Sequence, residues 1–131
     1  MKIYRILYGR FPSEKADSFF EAKSSESFSD YGVDVTLLVP RRLGRVKSDY
    51  SEFYGIKNNF KVVFLPVIDL MNIPILNRIA FYISFVTFSL SCFFYLVSKA
   101  NKSDFIYSNG SLPIFFATFY FPNTLLEIHD F

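Results

Sequence analysis

The sequence predicts an α/β protein, with about five strands in one open parallel sheet flanked by helices. Three observations lead there. Short apolar runs alternate with stretches of helical period, the order that a parallel sheet with crossover connections requires. The run "VTLLV" at 35–39 is nearly continuous in apolar character, as in a strand buried on both faces. Finally, 131 residues that are 51% hydrophobic and 21% aromatic supply one real core, and no repeat, linker or low-complexity tract divides them.

The elements follow in order. "KIYRILY" at 2–8 reads as a first strand ending at Gly9. Lys2 and Arg5 interrupt its apolar run, which is far shorter than the roughly 7–15 residues of a signal-peptide core, so a cytoplasmic chain is expected. Ser13 caps a helix that carries Glu14 in its dipole-favoured first turn. Ala16, Phe19, Phe20, Ser27, Phe28 and Tyr31 recur at helical spacing and are expected to form its inner stripe, before Gly32 ends it. "VDVTLLVP" is the second strand and "FKVVFLP" at 60–66 the third. Between them, residues 41–59 are polar and irregular. A helix runs from Arg78 to Ser98, "SDFIYS" is the fourth strand, "LPIFFATFYF" a short apolar helix with Pro113 near its start, and "NTLLEI" the fifth strand.

The long helix has competing readings. Residues 79–97 carry no charge and are flanked by Arg78 and Lys99. At about 1.5 Å per residue they reach about 28 Å, close to the thickness of a hydrocarbon core. Asn77, Ser84, Ser91 and Ser98, with Thr87 beside them, form a less apolar stripe of the kind a helix lying on a sheet turns away from it. A strand on either side favours a buried crossover helix. A membrane-spanning helix, and so a small membrane-anchored protein, is the alternative, and an interfacial helix a third.

Charged residues make up only 20% of the chain and the net charge is +2, which does not suit nucleic acid. The single cysteine, Cys92, lies in an apolar run and reads as a small buried hydrophobe. There is no G-x-G-x-x-G after the first strand, no P-loop, no C-x-x-C or paired histidine for a metal, and no nucleophile elbow. The cluster Arg41, Arg42, Arg45 and Lys47 is either a solvated edge or a contact for anionic lipid or a phosphate-bearing acceptor.

In an open sheet of order 3-2-1-4-5 ligands sit beyond the carboxyl ends of the strands, where the order reverses. That crevice is framed by "GRFPSEK", "SNGSLP" and "HDF", which bring Arg10, Ser13, Lys15, Ser108, Asn109, Ser111 and His129 together. Cations, hydroxyls, an amide and an imidazole suit an anionic or hydroxyl-rich ligand.

"RFPSEKA", "VTLLVPRR", "YGI", "DFIYS" and "LLEIHDF", in this order, resemble the N-terminal half of the family-4 retaining glycosyltransferases, which are built from two Rossmann-like domains. The resemblance runs the whole length of the chain. It implies a partial N-terminal acceptor-binding domain over 1–131, with the C-terminal donor-binding domain absent or separately encoded. It implies a nucleotide-sugar donor for the complete enzyme and no cofactor bound by this chain. The acceptor would be a glycan, a cell-surface polysaccharide or a lipid-linked precursor, reached peripherally at the inner face of a membrane. Chemically, it assigns His129 a place near the reacting sugar, and Arg10, Ser13 and Lys15 a contact with acceptor or donor phosphates. Two positions depart from the family pattern: "FPSEKAD" lacks the glycines common after the first strand, and "YSNG" puts Asn109 where many relatives carry an arginine. Alone, the chain is expected to transfer no sugar; a non-catalytic subunit of a split transferase is the related alternative.

Overall fold

A computed structural model describes residues 2–8, 16–41, 54, 55, 59–67, 77–109 and 111–126. In chain order the elements are β1 (Lys2–Ile6), α1 (Ala16–Asp30), β2 (Asp34–Pro40), β3 (Lys61–Leu65), α2 (Asn77–Lys99), β4 (Phe105–Ser108), α3 (Ser111–Thr118) and β5 (Thr124–Leu126). The five strands form one sheet in the order β3-β2-β1-β4-β5, and every pairing is parallel. This is the open Rossmann-like α/β arrangement that the sequence predicts.

Strand period divides the core between the two faces. Tyr4, Ile6, Leu38, Leu65 and Ile106 point to one side, where Phe88, Cys92 and Leu96 of α2 and Ile114 and Ala117 of α3 cover them. Val35, Leu37 and Val39 point to the other, against Ala22 of α1 and the aromatic rings of Tyr54 and Phe60. β2 is buried from Val35 to Pro40 because it is central and covered on both sides, which is why its sequence does not alternate.

α1 stops in a Schellman motif. The Gly32 N–H donates to Ser29 O at 3.0 Å and the Val33 N–H to Phe28 O at 3.2 Å. Gly32 sits at φ +87°, a left-handed conformation that only glycine adopts without strain.

Two helix faces differ from the expectation. α1 buries Glu21, Ala22 and Ser25, while Phe19, Phe20 and Phe28 stay partly exposed and Tyr31 is 89% exposed. Small side chains let the helix backbone approach the sheet, and Glu21 is drawn inward by Arg5 of β1. Their contact is a salt bridge, with Arg5 Nη2 2.8 Å from Glu21 Oε2 and both side chains nearly solvent-free. The hydroxyl stripe of α2 is likewise not its outer face. Ser84 is fully buried, Ser91 Oγ donates to Pro66 O at 2.6 Å, and Thr87 Oγ1 donates to Ile83 O of its own helix at 2.7 Å. The side of α2 turned away from the sheet is apolar instead. Cys92 is buried as expected, and burial pushes its thiol well above the ordinary value of 9.0.

Candidate functional site

β1 is the point at which the sheet changes direction. The chain moves from β1 outward to β2 and β3, then returns to the other flank of β1 with β4 and β5. The crossover helix α1 lies on one face and α2 and α3 lie on the other, so the carboxyl ends of β1 and β4 form the switch point beyond which open α/β sheets place their ligand crevice.

Asn109 ties the two lips of this crevice together. Its backbone N–H donates to Ile6 O at 3.3 Å, extending the β1–β4 ladder by one bond. Its side-chain Oδ1 accepts the Tyr8 N–H at 3.2 Å, across a sequence separation of 101 residues. An amide can do this while keeping Nδ2 as a donor, and among the described residues no hydrogen bond uses that nitrogen. A charged arginine offers no acceptor for the Tyr8 N–H, so the asparagine at this position has a structural reason. Ser108, one residue earlier, is fully buried between β1 and β5.

Tyr8 forms the wall next to Asn109. Its ring meets Phe81, Phe85 and Phe88 of α2, with centroids 5.8, 4.6 and 5.6 Å away. This aromatic stack joins the crevice to the N-terminal half of α2, so a group entering beside Asn109 meets an apolar wall. Tyr8 was legible only as the last residue of a strand; its aromatic ring just before Gly9 was the available signal.

Arg5 lies one register step below the crevice, opposite Tyr107. Its guanidinium carbon is 4.8 Å from the Tyr107 ring centroid and 5.4 Å from that of Phe28. Two π faces and one carboxylate hold a cation that is 1% exposed. Its Nε and Nη1 have no hydrogen-bond partner among the described residues.

Of the residues proposed from sequence, Ser108 is fully buried at the carboxyl end of β4 and Asn109, half-buried, follows it. Arg41 is exposed just past β2, with its backbone N–H bonded to Leu65 O at 2.9 Å. Ser111 opens α3. Arg10, Ser13, Lys15, Arg42, Arg45, Lys47 and His129 lie outside the described residues. Among the described residues no group of acidic, histidine or cysteine side chains is arranged to hold a metal ion. No protein-family model, no curated protein and no solved structure matches the chain.

Proposed function

We propose that this chain is the acceptor-binding half of a sugar transferase that uses a nucleotide-sugar donor. The observation that carries the reading is the β1–β4 switch point, where Asn109 leaves an amide donor beside the aromatic ring of Tyr8. One hydrogen-bonding group against a ring suits a sugar, which offers hydroxyls on its edges and C–H groups on its faces. The motif order that resembles family-4 glycosyltransferases points the same way. In this reading His129, Arg10, Ser13 and Lys15 complete the site from the loops after β5 and β1, and the donor is held by a second Rossmann-like domain. The chain by itself then binds acceptor and transfers nothing.

Saturation-transfer NMR tests this with oligosaccharide and lipid-pyrophosphate-linked sugar acceptors on one side and UDP-glucose on the other. Acceptor signals are expected to saturate, UDP-glucose signals are not, and Asn109→Ala should reduce the acceptor effect. Binding of UDP-glucose without acceptor binding, or sugar transfer by the purified chain alone, would overturn the assignment.

A further inference from the structure

α2 has its polarity inside out. The side against the sheet carries Ala80, Ser84, Phe88, Cys92 and Leu96, all fully buried. The opposite side carries Ile79, Tyr82, Val86, Leu90, Phe94 and Val97, all substantially exposed, with Phe94 at 67%. Of its serine and threonine residues, Ser84 and Ser89 are buried and Thr87 and Ser91 half-buried, and the hydroxyls of Thr87, Ser89, Ser91 and the exposed Ser98 donate to backbone carbonyls. A helix that faced water would use these residues the other way round. From Ile79 to Val97 the apolar strip runs about 27 Å at about 1.5 Å per residue. α3, which packs beside α2 over the same face of the sheet, adds Phe115 and Phe119, whose rings meet at 5.1 Å.

Charge identifies the occupant. Between Asp69 and Glu127 the chain holds one acidic residue, Asp104, and three basic ones, Arg78, Lys99 and Lys102. Asp104 is buried and accepts the Asn101 N–H at 2.9 Å, whereas all three cations are exposed. Arg78 and Lys99 stand at opposite ends of the apolar strip, and Lys102 lies 4.8 Å from the centroid of the half-exposed Tyr120 ring. Among the described residues, a largely apolar centre flanked by exposed charges of one sign complements an anionic bilayer surface, in which chains are apolar and headgroups negative. A protein partner is ordinarily met by a rim of mixed polar character.

We infer that the outer face of α2 and α3 docks on an anionic lipid bilayer, with α2 lying in the plane of the interface. The fold favours lying over spanning. β3 and β4, which α2 connects, belong to the same sheet, and the inner side of the helix is occupied by that sheet. The inference does not depend on the transferase reading.

Vesicle flotation tests it with the full chain. The protein is expected to float with vesicles of equal phosphatidylglycerol and phosphatidylcholine, and to partition at least tenfold less to phosphatidylcholine alone, since each cation contributes roughly fivefold. Leu90→Glu with Phe94→Glu should abolish flotation while leaving the circular dichroism spectrum unchanged. Arg78→Glu with Lys102→Glu leaves the apolar strip intact and should lower partition at least tenfold, so the inference stays testable if the first pair misfolds. Wild-type protein that stays with the soluble fraction would overturn it. So would a dimer in buffer that the Leu90 and Phe94 changes dissociate, which would assign the face to a second copy. Resistance to alkaline carbonate would overturn the flat orientation in favour of a span.

Discussion

The Arg5–Glu21 pair offers the sharpest test of how this core is built. Replacing Glu21 by leucine leaves the Arg5 cation buried at 1% exposure with its only carboxylate partner among the described residues removed. Breaking a buried pair from one side costs about 3–5 kcal/mol, because the remaining charge loses its partner without regaining water. The Tyr107 and Phe28 rings soften the loss, since each offers the guanidinium about 1 kcal/mol, which sets the expectation near the lower limit. With a urea m-value of about 2 kcal/mol per molar, a loss of about 3 kcal/mol moves the unfolding midpoint down by about 1.5 M. Changing both residues, Arg5→Met with Glu21→Leu, removes both charges and fills similar volume, so most of the stability should return. Urea titrations of wild type, both single variants and the double variant, followed by circular dichroism, give the coupling directly. If Glu21→Leu costs less than about 1 kcal/mol, or the double variant is as unstable as the sum of the singles, the ion pair is not what draws α1 inward.

Two further outcomes follow from the core and the turn. Gly32→Ala should lose about 1–2 kcal/mol to the left-handed conformation alone, because nothing lies within 4 Å of the added methyl group; urea unfolding indistinguishable from wild type would contradict the Schellman geometry. Burial raises the Cys92 thiol above 9.0, so the folded state holds its proton where the unfolded chain releases it. That contribution is fully present below the unfolded value and is lost as pH rises toward the folded one, at up to about 1.4 kcal/mol per pH unit. Stability measured between pH 9 and 10.5 should therefore fall more steeply in wild type than in Cys92→Ala, and parallel slopes would refute the assignment.

The order of strands and helices was readable because each element keeps a period that its neighbours do not. β2 announced a central position by its uninterrupted apolar residues, and Gly32 marked the end of α1 by residue type alone. Which way a helix turns its stripe was not readable. The aromatic residues of α1 and the hydroxyls of α2 recur at helical spacing, but spacing fixes only that residues share a side. The choice of side came from contacts distant in sequence: Arg5 selecting Glu21, and Pro66 O accepting from Ser91. The meeting of the β1 and β4 ends followed from topology, which is what places Ser108 and Asn109 beside the end of β1. The role of the Asn109 side chain was hidden because its partner is a backbone N–H, and no sequence pattern records backbone donors left over at a strand end.

The bond from the Tyr8 N–H to Asn109 spans 101 residues, and β1 has β4 as its neighbour on that whole flank. During synthesis at about 5–20 residues per second, β1 therefore waits about 5–20 s for the strand that completes its hydrogen bonding. Through that interval β1, β2 and β3 can pair, but one edge of β1 stays open and Tyr4 and Ile6 lack the α2 side chains that later cover them. The nascent chain thus carries an unfinished sheet edge until residue 108 has cleared the ribosome, and its yield in a cell depends on how well that edge is shielded from other chains.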